Sequence, residues 1–121
     1  MTQAAIVGWG HLPFGRVEED VEQMIVGAAG AALDDAGIGP ADVDAIFLGW
    51  FNAGMAEQDF GASLVMNGFD ALRYKPATRV ENACATGSAA IYQGMDFIGA
   101  GRGRIVLVIG VEKMSDVDSA T

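Results

Sequence analysis

The chain is poor in the residues that most often build metal centres and cross-links. Among its 121 residues there is one cysteine and one histidine. A single thiol permits no intrachain disulfide, and one histidine beside it offers no Cys/His cluster at zinc spacing. Basic residues are scarce as well: seven Lys and Arg stand against sixteen Asp and Glu, a formal net charge of −9. A surface of that sign repels a polyanionic backbone at long range, which argues against nucleic acid as a partner. No apolar run approaches the ~20 residues that span a bilayer. The opening stretch MTQAAIVGWG lacks the basic n-region and continuous apolar h-region of a secretory signal. The chain therefore reads as cytoplasmic, with its thiol kept reduced.

What is abundant is apolar. Hydrophobic residues make up 51% and charged ones only 19%. The length suits one domain or part of one, and that apolar content exceeds what a domain of this size readily hides, so a buried partner surface is expected.

Periodicity and punctuation predict an alternating order of elements. Residues 4–8, AAIVG, form a short apolar strand candidate that ends in the turn WGHLPFGR. A helix is expected over 20–36, where Val21, Met24, Ile25, Ala28, Ala32, Leu33 and Ala36 share one face. Gly37 then supplies a left-handed cap and Pro40 blocks continuation. Residues 43–49 (VDAIFLG) read as a second strand, and 57–68 as a weaker helix with Phe60, Leu64 and Val65 on one side. Residues 76–81 (PATRVE) form a third strand, with Pro76 at a position a strand tolerates. An Ala/Gly-rich helix enclosed by other elements follows over 84–100, and 104–110 (RIVLVIG) is a β-branched run of the kind covered by helices on both faces. The fold class is α/β: β-α-β-α-β-α-β, with a mainly parallel sheet and right-handed crossovers. The polar tail VEKMSDVDSAT brings no helix to cover that side of the sheet. The chain is thus expected to be the opening portion of a larger fold.

Cys84 stands in VENACATGSAA (80–90), between the third strand and the Ala/Gly-rich helix. A strand that turns directly into a helix leaves the first backbone N–H groups pointing at the helix start. Those dipoles favour a thiolate, and the amides suit a developing oxyanion. Ala83, Ala85, Gly87, Ser88, Ala89 and Ala90 add little bulk, so an acyl group has room to approach. The pattern suits covalent acyl chemistry better than metal binding. From the residues alone a buried structural thiol remains open, since free cysteine is among the most often buried residue types. His11, in the first turn, is the one histidine that could serve as a base, although a loop histidine beside Pro13 is more often structural or solvated.

Taken together, RVENACATGSAA and VLVIGVEKMSDV resemble the thiolase superfamily, closest to its sterol-carrier-protein-x type. The resemblance extends to GWGHLPFGR and DDAGIGPADVDAIFLG and so covers the length of the chain. It implies a fold of two similar halves, with a loop domain inserted in the first, and residues 1–121 then represent the first half up to that insertion. It implies acyl transfer from acyl-CoA, the CoA thioester being substrate, with no covalently bound cofactor. Cys84 matches the acyl-accepting nucleophile, and its N–H one arm of the oxyanion hole. His11 matches none of the family's histidines, which lie in later segments together with a second cysteine. The chain alone is therefore expected not to turn over. The resemblance also implies a homodimer through residues 76–90, and a complementary chain would supply the later segments.

Other features of the sequence carry weaker signals. Gly8, Gly10 and Gly15 evoke a dinucleotide turn, yet Pro13 and the acidic VEED intervene before the helix, so the spacing fails. GAGRGR (99–104) runs from helix to strand and reads as a tight connection. VEEDVE complements a helix N-terminus, and the six methionines read as packing or interface residues. Arg79 is expected to pair with a carboxylate, and Asp96, inside an enclosed helix, to need a partner. The main competing function is a non-catalytic binding or assembly module. A flavodoxin-like nucleotide binder would need a phosphate loop that the sequence does not contain.

Overall fold

The computed structural model describes residues 3–116. Helix α1 spans Val21–Ala36. Its start is a capping box: the Asp20 carboxylate accepts from the Gln23 N–H (2.8 Å), and the Gln23 side chain accepts from the Asp20 N–H (2.9 Å). Two otherwise orphaned donors are thereby satisfied. Its end is a Schellman turn, with Gly37 at φ 67°, the Gly37 N–H donating to the Asp34 carbonyl and the Ile38 N–H to the Leu33 carbonyl. Val21, Ile25, Ala29 and Leu33, four apart, form the buried stripe.

Three parallel strands make the sheet: β1 (Ala45–Gly49), β2 (Ala77–Val80) and β3 (Val106–Gly110), in the order β2-β1-β3. The central strand is almost wholly buried, as expected of a strand covered on both faces. Its side chains alternate between two environments. Ile46, Leu48 and the following Trp50 join Leu107, Ile109 and the α1 stripe in one core. On the other face lies α2 (Thr86–Gly99), where Phe97 meets Phe47 edge to face and Gly94 fits against Val106 and Val108. The α/β class with a parallel sheet and helices on both faces is what the periodicity predicts.

Three elements differ from expectation. Residues 4–8 do not join the sheet, and Ile6 is 82% exposed. The cause lies in Gly8 and Gly10, which let the backbone press onto the alanines of α1; a Cβ on either would lie 2.6 Å from the Cβ of Ala36 or Ala31. The Trp9 N–H donates to the Asp35 carboxylate rather than to a strand. Val7 and Gly8 only border a crevice beside β3. The weaker helix is a 3-10 segment, Gly61–Asn67, entered through Phe60 in the left-handed region (φ 54°). Finally, α2 is not enclosed: Ile91, Tyr92 and Met95 are exposed on its outward side, as is Asp96, which therefore has no need of a buried partner. The polar tail is described only to Asp116; residues 117–121 lie outside the described residues.

Asp44 ties the start of β3 to the start of β1. Its carboxylate accepts from the Arg104 N–H (2.7 Å) and the Ile105 N–H (3.1 Å). These two bonds, with the charges of Lys75 and Arg104, outweigh desolvation and hold the carboxyl below its ordinary range. A carboxyl depressed on folding stabilises the fold above its unfolded value of about 4, and that contribution is lost as pH falls through the folded value. Asp44→Asn is thus expected to lower the urea midpoint at neutral pH, with the gap from the parent narrowing below about pH 4. A gap that does not change with pH would refute this assignment.

Candidate functional site

Because the strands are parallel, the segments that leave Gly49, Val80 and Gly110 emerge along one edge of the sheet. In open α/β sheets, that carboxyl edge is where ligands are received. Cys84 stands there, exposed, in a 3-10 turn (Ala83–Ala85) immediately before α2. It is not buried, and it lies ahead of α2 rather than within it.

The turn is held by hydrogen bonds from Cys84's neighbours. The Thr86 hydroxyl accepts from the Asn82 N–H (2.9 Å) and donates to the Ala83 carbonyl (2.6 Å). The Ala85 N–H donates to the Asn82 carbonyl (2.8 Å), and the Ala83 N–H to the Glu81 carboxylate (2.5 Å). Ala83 is left-handed at φ 44°, a conformation that alanine adopts only when its surroundings impose it. Among the described residues, none of these bonds takes up the Cys84 N–H. No side chain caps α2, and the Thr86 N–H donates to the Ala83 carbonyl, continuing the turn into the helix.

The loop after β1 is fastened from both flanking strands. From β2, Arg79 donates to the Trp50 carbonyl (2.9 Å), the Phe51 carbonyl (3.0 Å) and the Asp59 carboxylate (2.6 Å), with its guanidinium over the Trp50 ring. From beyond β3, the Glu112 carboxylate accepts from the Phe51 N–H (2.5 Å) and the Asn52 N–H (3.1 Å). Buried Asn52 closes the loop on itself, accepting from the Ala56 N–H and donating to the Ala56 and Gln58 carbonyls. These bonds hold Asn52 and Ala53 at positive φ. The expected carboxylate partner of Arg79 is thus Asp59 of the same chain.

Of the two sequence candidates, Cys84 lies on the carboxyl edge, while His11 lies in the segment that precedes α1. His11 is carried by the segment that packs on α1, its ring edge-on to Phe14 at 4.6 Å. Among the described residues no hydrogen bond links the two, and no group of His, Cys, Asp and Glu is arranged to hold a metal. Sequence reading assigned nothing to Asn52, Glu112 or Thr86. The first stands in the turn-prone run FNAG and the second inside GVEKMSD, but their partners lie about sixty residues apart in the chain.

Comparison with known proteins agrees with this fold. Residues 4–121 match the family described as thiolase, N-terminal domain. The chain is 41% identical to an acetyl-CoA acetyltransferase of Methanocaldococcus jannaschii and 37% identical to one of Methanothermobacter thermautotrophicus. Both matches take in the whole chain but only 31% and 32% of the relatives, so the chain spans about a third of their length. Among solved structures, 3-oxoacyl-[acyl-carrier-protein] synthase III from Aquifex aeolicus superposes with a TM-score of 0.72 at 29% identity, over 87% of this chain and 35% of that one. An acetyl-CoA acetyltransferase from Syntrophomonas wolfei has the same fold, with a TM-score of 0.74 at 23% identity over 85% of this chain and 27% of that one.

Replacing Arg79 should loosen the loop far more than replacing its acidic partner. Arg79→Met forfeits charge-assisted bonds to two carbonyls, so a loss of about 2 kcal/mol is expected in urea unfolding. Asp59→Asn removes one half-exposed ion pair and should cost below about 1 kcal/mol. Equal losses would show that the ion pair, not the carbonyl contacts, fastens the loop.

Proposed function

The chain belongs to the thiolase family as an N-terminal domain, and from that membership we propose that it is the N-terminal part of an acyltransferase that takes an acyl group from acyl-CoA onto Cys84. The observation that carries the reading is the placement of Cys84: exposed, on the carboxyl edge of a parallel sheet, at the entry to α2. The sterol-carrier-protein-x type is the subgroup whose motifs it most resembles, and residues 1–121 correspond to the first half ahead of the inserted loop domain. The exposed thiol argues against the non-catalytic assembly module, which required it to be buried.

In the proposed step the Cys84 sulfur, as thiolate, attacks the thioester carbonyl. A new sulfur–acyl bond forms, the bond between acyl carbon and CoA sulfur breaks, and the proton given up by the cysteine ends on the CoA thiol. One thioester replaces another, so the exchange is nearly balanced, and the chain's task is to present the thiolate and orient the carbonyl. The Cys84 N–H serves as one donor to the oxygen that becomes negative on attack. A second acceptor, CoA or a carbon nucleophile, then takes the acyl group in a ping-pong sequence. The reaction needs neither a covalently bound cofactor nor a metal, and its setting is the cytoplasm.

The open edge of β2 supports the expected homodimer through residues 76–90. β2 is one of the two edge strands among the described residues and only partly buried, so its unpaired backbone groups are available to a second copy. Light scattering is expected to give a dimer mass, and a clean, stable monomer would count against it.

Incubation with acetyl-CoA followed by intact-mass measurement tests the chemistry. One acetyl group is expected on the chain and none on Cys84→Ala, with no sustained release of product. Multiple turnover by the 121-residue chain would defeat the proposed inactivity. Absence of the adduct on the folded parent would defeat the acyl-acceptor role.

A further inference from the structure

We propose that Thr86 is the positioning residue for Cys84, and that the absence of a side chain at Gly49 leaves the space that admits it; this rests on the reading of Cys84 as the acyl acceptor. Thr86 is 6% exposed, although every residue from Glu81 to Ala85 is exposed, as are Gly87 and Ser88. It is the one buried side chain in the segment that carries the sulfur. Its hydroxyl is used in both directions, accepting from the Asn82 N–H and donating to the Ala83 carbonyl. Those two residues precede the cysteine, so the hydroxyl bridges the peptide groups that set its direction of departure. Ala83, held at φ 44°, is the joint that the bridge locks. Released, an alanine would relax toward its ordinary basins and swing Cys84 and its N–H away from the sheet edge.

The other side of Thr86 faces β1. A Cβ on Gly49 would lie 3.1 Å from the Thr86 carbonyl oxygen and 3.2 Å from its methyl carbon, with Ala90 at 3.3 Å. Glycine at this strand end thus leaves a socket for a threonine and for the first turn of α2. Gly49 is also the last residue of β1, paired with Val80 on one side and Gly110 on the other. Through Thr86, the orientation of Cys84 is therefore referenced to the middle of the sheet and not only to its own turn.

The test is the rate at which iodoacetamide alkylates Cys84 in the folded chain, in the parent and in Thr86→Ser, Thr86→Val and Gly49→Ala. Thr86→Ser keeps the hydroxyl and should react within about twofold of the parent. Thr86→Val keeps the shape but loses both bonds, so a slowing of about tenfold is expected, the ratio that corresponds to the loss of one or two ordinary hydrogen bonds. Gly49→Ala, with the hydroxyl intact but displaced, should fall between them. Thr86→Val reacting at the parent rate would overturn the proposal, as would Thr86→Ser slowed as much as Thr86→Val. If Thr86→Val fails to fold while Thr86→Ser folds and reacts normally, the hydroxyl is a folding determinant and the positioning role is likewise overturned. A parent thiol no more reactive than free cysteine would instead defeat the acyl-acceptor reading itself.

Discussion

The hydroxyl of Thr86, bridging Asn82 and Ala83 beneath the exposed sulfur, is the contact on which the site depends. Strand β2 must give way to helix α2 within the five residues 81–85. Both ends of that passage are fixed, Val80 by pairing with β1 and Thr86 by burial against Gly49. The short span between them cannot relax into an ordinary turn, and Ala83 takes up the difference in the left-handed region. Cys84 is exposed because its neighbours on either side are anchored. Exposure here is a product of packing rather than of a loose surface loop.

The same economy governs the loop beside it. Three successive residues, Asn52, Ala53 and Gly54, have positive φ. Such a backbone persists only where other contacts outweigh its cost. Those contacts come from both outer strands, through Arg79 and Glu112, and from Asn52 itself. The central strand β1 therefore acts twice: it buries the core, and it sends out a loop that the flanking strands can reach. In a sheet of a different order the two charged side chains would not converge on it.

The elements legible from sequence are those whose signals are local. The capping residue Asp20, the apolar stripe of α1, Gly37 and the β-branched run of β3 each state their role within a few residues. The placement of Cys84 belongs with them, since a strand, a tight turn and a small-residue helix stand consecutively in the chain. What local pattern could not supply was competition. The apolar segment at residues 4–8 has strand composition, but Gly8 and Gly10 bring it against α1 instead, a choice set by alanines more than twenty residues away. The helix expected at 57–68 tightened into a 3-10 segment because Phe60 enters it left-handed, beside a loop already fastened elsewhere. The family resemblance reached further than periodicity did, pointing to Cys84 as the acyl acceptor proposed above, and it left Thr86 unassigned.

The chain's two tryptophans sit in opposite surroundings: Trp50 is wholly buried beneath the Arg79 guanidinium, with no partner for its indole N–H among the described residues, whereas Trp9 is 70% exposed. The protein consequently carries two tryptophan fluorophores in contrasting surroundings, a blue emitter under the site loop and a red emitter beside α1. Quenchers dissolved in the buffer reach only the second. The light that survives them reports on the ground beneath the loop, with no label attached.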